Sequence, residues 1–194
     1  MIRTVLIYLA KEVRPRWREI ATEPECWLAM GIAVAAAIWG TGLDAADAKV
    51  GDIVTVVLAY AAVAFGFCLT GLTVAMTLPD ERFATSLAKL DEDVPDTWRR
   101  RKPEGFSENA YSKLLFVFSW TAFLHWMAIA TAFTMLVARG YDARLLPDCP
   151  DVPTRVLAGA LVFFVIYAAG QFLVTLITLS QVGSAYITQL RGRQ

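Results

Sequence analysis

Very few side chains in this chain could do chemistry from an unusual position, and all of them sit inside long apolar runs. His125 is the only histidine and lies about eleven residues into one such run, with Thr121 one turn before it. An ionisable group near mid-membrane is costly unless partnered. It therefore reads either as a proton-sensing or ion-path residue, or as a neutral imidazole bonded across helices to a hydroxyl or amide. No Asp or Glu accompanies it within the apolar runs, which favours the second reading. Gln171, Thr175 and Thr178 follow i, i+4, i+7 spacing, and Gln181 or Val182, Ala185 and Thr188 continue the face. Such a stripe lines a water path around a symmetry axis or bonds to neighbouring helices, with the balance toward helix contacts. Thr70, Thr73 and Thr77 share another face, near Gly66 and Gly71. Threonine hydroxyls bond readily to the backbone one turn back, so packing or self-satisfaction is favoured there over a pore lining.

Reaction motifs are missing. Catalysis in or on a membrane needs paired carboxylates, a His with a carboxylate, a metal cluster, or a nucleophile beside a base. The acidic run Asp91, Glu92, Asp93 and Asp96 has no spaced basic or histidine partner and lacks the alternation and central Gly of a calcium loop. Neither GxxxxGK[ST] nor a strand-bounded GxGxxG occurs. Cys26, Cys68 and Cys149 show no metal-ligand spacing, and their expected depths set Cys149 apart. A non-enzymatic protein without catalytic residues, metal or cofactor is expected.

The elements that must position these groups follow from charge segregation. The 194 residues are 57% hydrophobic, carry 18 basic and 18 acidic residues, and have a mean hydropathy of +0.49. Soluble domains interleave charge with apolar residues, whereas here charge is absent from runs long enough to cross a bilayer. An all-α membrane protein is predicted: four transmembrane helices in two hairpins, an N-terminal amphipathic interfacial helix, and a cytoplasmic helical insert between helices 2 and 3. The spans are expected at residues 26–43, 53–78, 111–138 and 156–182, the last with a cytoplasmic extension to 190, all in one polytopic domain.

Residues 1–23 place Ile2, Val5, Leu6, Leu9, Val13, Trp17 and Ile20 at helical spacing, with Lys11, Arg14, Arg16 and Arg18 largely to the other side. Pro15 predicts a kink or break. The run from Val5 to Ala10 is too short for a signal peptide, so the segment is kept as mature protein. Gly31, Ala35, Ala36 and Gly40 put small residues along the first span and suggest an inner, packed helix. The charge-free stretch after Arg155 is too long for one bilayer, so the fourth helix must tilt or project, leaving the membrane near Val182 and continuing or ending near Gly183.

The insert at 79–109 divides the apolar pairs. Phe83, Leu87 and Leu90 suggest a short amphipathic helix, followed by the acidic run and then Trp98, Arg99, Arg100, Arg101 and Lys102. That basic run suits lipid headgroups or a protein partner; four such residues are a poor basis for binding nucleic acid. Fourteen Lys and Arg fall on the side of the termini and insert against four on the other, which predicts both termini in the cytoplasm and, in a bacterium, residence in the inner (plasma) membrane. The expected partners are the lipid bilayer, further copies of the chain and a cytosolic protein. A sensor, anchor or effector subunit results, of the kind used in bacterial stress response or antiphage defence. The alternative is a homo-oligomeric ion channel lined by the Thr or Gln faces, and His125 alone supports a weaker reading as a proton-coupled transporter.

Overall fold

A computed structural model describes residue 10 and residues 13–39, 49–77, 110–145 and 151–191. The insert with its basic run, residues 40–48 and Cys149 lie outside them. The described chain is helical: α1 (Arg14–Thr22), α2 (Pro24–Trp39), α3 (Val50–Thr77), α4 (Ala110–Arg139) and α5 (Val152–Arg191). Three of these, α3, α4 and α5, are long and apolar enough to cross a membrane, and a fourth span results if α1 and α2 count as one bent unit. Pro15 sits in the first turn of α1, where its missing N–H would have no intrahelical partner anyway. The sharp change of direction comes at Glu23, whose extended backbone (φ −64°, ψ 131°) precedes Pro24 and turns α2 by 69° from α1. A residue before proline is sterically biased away from the helical region, and proline is a favourable opener for the next helix.

Several polar side chains are buried beside the apolar core while many large apolar ones face outward. Thr121, His125 and Thr175 have no exposed surface, while Val63 is 76% and Val137 72% exposed. In water those apolar faces would form a belt far larger than a soluble monomer tolerates; in hydrocarbon they cost nothing. Inward polar groups are then what links one helix to another.

Packing runs in the order α3, α4, α5, α2. The second predicted hairpin is present as α4 and α5, but the first is not: α2 and α3, consecutive in sequence, flank that hairpin without comparable contact between them. Hydropathy marks a span but not its neighbour, and adjacency in sequence, on which the two expected hairpins rested, does not supply it. One cluster joins Val50, Val54 and Val57 of α3 to Ala132 and Met135 of α4 and Leu161 of α5. At the other end Cys68 of α3 lies beneath Leu114 and Phe118 of α4. The small residues of α2 that pack are Ala29, Ala33 and Ala37 rather than the expected Gly31, which is exposed with nothing against it. The helix is peripheral, with Leu28, Ile32 and Ile38 facing outward.

Close approach matters at two glycines. A Cβ on Gly71 would run into the ring of Phe118, which is fully buried, whereas one on Gly51 would meet Tyr141, whose ring is exposed and can swing away. Gly71→Ala is therefore expected to cost about 1–3 kcal/mol by overpacking and Gly51→Ala less than about 1. Thermal unfolding in detergent checks the order, and equal shifts would sink this account.

Two loops are tied together at the α3 entry. Val50 N–H donates to Ala143 O at 2.8 Å, Gly51 N–H to Tyr141 O at 3.0 Å, and Lys49 Nζ meets Asp142 Oδ1 at 3.0 Å. At the head of α5, Arg139 Nη1 donates to Thr154 Oγ1 at 3.4 Å, and Thr154 bonds onward to the Asp151 carboxylate. That hydrogen bond holds Asp151 below the ordinary carboxylate value of 3.8, and the bond to Asp142 holds Lys49 above the ordinary 10.5. The Asp151 contribution is present above the unfolded value and lost as pH falls through the lower folded one. The Lys49 contribution is present below its unfolded value and lost as pH rises through the higher folded one. Wild type and Asp151→Asn are thus expected to differ in melting temperature by a constant amount near neutrality, with the gap closing only below the ordinary carboxylate value. A gap that varies between pH 6 and 8 (about the range where His titrates) would contradict this.

Candidate functional site

Near the middle of α5, the break between α1 and α2 delivers a carboxylate into a polar seam. Tyr167 and Gln171 stand one turn apart on α5, and both reach the same oxygen of Glu23. The Tyr167 hydroxyl donates to Oε2 at 3.0 Å and the Gln171 amide donates at 2.7 Å. Trp120 Nε1 of α4 donates in turn to the Tyr167 oxygen at 3.4 Å. Helix α1 is held against the same region by Val13 and Ile20, with Arg16 between them on the packing face. The Arg16 guanidinium lies 4.1 Å from the centre of the Phe116 ring, a cation–π contact, and only 6% of the residue is exposed.

This corrects the expected amphipathic face. Arg16 packs inward and Trp17, placed on the apolar side by its spacing, is 58% exposed. Positions 16 and 17 fit a three-to-four repeat from Val13 equally well, so periodicity alone does not separate them. Trp27 is exposed too, with its Nε1 donating to Ala21 O at 2.8 Å.

The seam continues along α5 and α4. Thr175 donates to Gln171 O at 2.8 Å, which uses its only hydroxyl proton, so at the 2.8 Å contact between the two threonines Thr121 is the donor to Thr175. His125 Nδ1 lies 2.8 Å from Thr121 O; facing a carbonyl, that nitrogen carries the proton and donates. Nε2 is then the acceptor, and the Tyr60 hydroxyl of α3 is 3.4 Å away. Phe172 meets the imidazole edge-on, with ring centres 6.0 Å apart. Hydroxyls, an amide and one imidazole thus join α3, α4 and α5, with the Glu23 carboxylate at the open end.

The expected residues fall into three groups. His125, Gln171 and Thr175 are brought together, buried within a single protomer. Thr70, Thr73 and Thr77 are exposed on α3, and each bonds to the carbonyl four residues earlier at 2.9 Å; half-buried Thr178 does the same to Val174 at 2.8 Å. Trp98, Arg99, Arg100, Arg101 and Lys102 lie outside the described residues. Sequence reasoning missed Glu23, Arg16, Tyr60, Trp120 and Tyr167. Tyr167 was within reach, since it extends the Gln171 and Thr175 stripe by one turn. Glu23 also carried a signal, as an acid directly before a proline at the head of an apolar run.

Among the described residues, the polar atoms of this arrangement bond chiefly to one another. Its chemical capacity is registry: it fixes the rotation of α4 against α5 and clasps α1 to α5 through one carboxylate. Comparison with family models, curated proteins and solved structures finds no match, so the geometry of this seam is the basis for reading function.

Proposed function

We propose that this chain is a non-enzymatic, homo-oligomeric subunit of a bacterial inner membrane, both termini cytoplasmic, that couples the state of its helical bundle to a cytosolic protein. Sensor, anchor or effector roles all fit, as in a stress-response or antiphage system. One observation carries the reading: α5 is unbroken over 40 residues from Val152 to Arg191 and bonds to α1 and α4 through its polar stripe. A helix of that length extends about 60 Å, roughly twice the hydrocarbon core. Any rotation or tilt imposed on it within the bilayer is therefore delivered at its far end, and α1, clasped at Glu23, moves with it.

Pull-down from native membranes tests the coupling. A cytosolic protein is expected with the wild-type chain and is expected to be lost from a chain ending at Ser180 and from one with Arg99 to Lys102 neutralised. A wild-type chain that recovers no cytosolic protein would overturn the proposal.

A channel is the second reading, and the exposed Thr70, Thr73 and Thr77 face of α3 beside the open Gly66 favours that helix as its lining. Gln171 and Thr175 are buried inside the protomer and are committed elsewhere. Absence of ion flux from reconstituted oligomers under every trigger tried removes this reading.

A further inference from the structure

Between α2 and α5 runs an open groove of about 460 Å³, almost wholly apolar, with Arg155 the one charged residue among those that line it. We propose that it binds one phospholipid, an acyl chain lying in the groove and the lipid phosphate held by Arg155. At Gly159 the two helices approach closely: a Cβ there would come into van der Waals contact with Ala37 Cβ at 3.4 Å and Ala33 O at 3.5 Å. Val34 and Val156, both exposed, and Phe163 are among the residues that line it. Arg155 and Phe163 are eight residues apart on one helix, a separation of about 12 Å. One leaflet of a bilayer contributes about 15 Å of hydrocarbon, so the groove is one acyl layer deep and its cation falls at headgroup level.

The occupant is set by this asymmetry. It must be apolar over most of its length and anionic at one end, the description of a phospholipid. Asp151, one turn before Arg155, does not take the place of that anion, because its carboxylate bonds to Thr154. A helix from a second copy would cover the apolar part only by bringing an acid to the mouth, and it would leave a concave floor to be filled by side chains of matching shape.

Native mass spectrometry and thermal unfolding of the full chain test the site, with phosphatidylglycerol and phosphatidylcholine as the probes. The wild-type protein is expected to retain one phospholipid per protomer through detergent exchange. It should favour phosphatidylglycerol by about fivefold, the worth of one basic residue at a membrane surface. Arg155→Gln should abolish that preference while leaving helical content unchanged. Val34→Trp, which fills the groove from its exposed rim without touching Gly159, should abolish retention of both lipids, and Val156→Trp serves the same purpose if Val34→Trp does not fold. Complete loss of lipid from the wild type, or a preference intact in Arg155→Gln, would overturn the proposal. So would a rim variant that keeps its lipid but dissociates the oligomer, since the groove is then a contact between copies.

Discussion

Replacing Glu23 with alanine is expected to release α1 from the bundle while leaving the long helices assembled. Two donors, the Tyr167 hydroxyl and the Gln171 amide, end on the same Glu23 oxygen. Interhelical hydrogen bonds in membrane proteins are worth about 0.6 kcal/mol on average and about 1.7 at most, so losing both costs roughly 1–3 kcal/mol. That is small against the cohesion of α3, α4 and α5, which pack along most of their lengths, but large for a helix of nine residues. What remains for α1 is the contact of Val13 and Ile20 with the cluster around Trp120, and the Arg16 guanidinium over Phe116, worth about 0.5–2 kcal/mol. Glu23→Gln keeps an acceptor oxygen in place and should hold α1 nearly as well as wild type, separating hydrogen bonding from charge. Limited trypsin digestion after Arg16 and Arg18, which precede Trp17 and Glu19, reads the outcome. Alanine should expose these sites several-fold faster than glutamine (about 1–2 kcal/mol is a factor of 5–30), with little change in the melting temperature of the bundle. If alanine and wild type are cut at the same rate, the clasp does not hold α1.

The spans themselves were legible because charge and proline are absolute signals in a bilayer. Predicted segments 53–78 and 111–138 match α3 (Val50–Thr77) and α4 (Ala110–Arg139) within three residues at each end. Of the two courses expected for the end of the last helix, continuing or ending near Gly183, α5 takes the first and runs unbroken to Arg191. Faces were harder to read. In hydrocarbon an apolar side chain is equally at home toward lipid and toward a neighbouring helix, so Val63 and Val57 look alike in sequence while one is exposed and the other buried. Only polar residues carry directional information there, which is why His125, Gln171 and Thr175 could be flagged, and why Thr70 and Thr73 could not be told from them. A threonine satisfied by its own helix and one bonded across helices have the same spacing. Glu23 escaped because its significance lies in a bend: the Glu-Pro step turns the chain so that a residue just outside the apolar run points back into the bundle.

His125 supplies the second large effect, and its two contributions can be separated by magnitude. Truncation to alanine removes a fully buried ring that packs between Tyr60 and Phe172, with centroids 5.6 Å and 6.0 Å away. Large-to-small changes at such sites cost about 2–5 kcal/mol through lost contacts and residual cavity. Tyr60→Phe removes only the hydroxyl that faces Nε2 and should cost about 1 kcal/mol, the scale of one interhelical hydrogen bond. Packing is thus expected to outweigh bonding, and His125→Ala should lower the melting temperature in detergent at least twice as far as Tyr60→Phe. The reverse order would mean that the hydrogen bond, not the ring, holds α3 to α4 at this level. The same surroundings bear on proton sensing. Tyr60, Thr121 and Phe172, the groups that contact the imidazole, carry no charge, so none of them offers an imidazolium a counter-ion in a low-dielectric interior. Wild type and His125→Gln are accordingly expected to unfold with parallel profiles from about pH 5 to 8, the interval in which an ordinary histidine titrates. Profiles that diverge across that interval would return His125 to the role of a proton sensor and make the seam a candidate path for the proton it takes up.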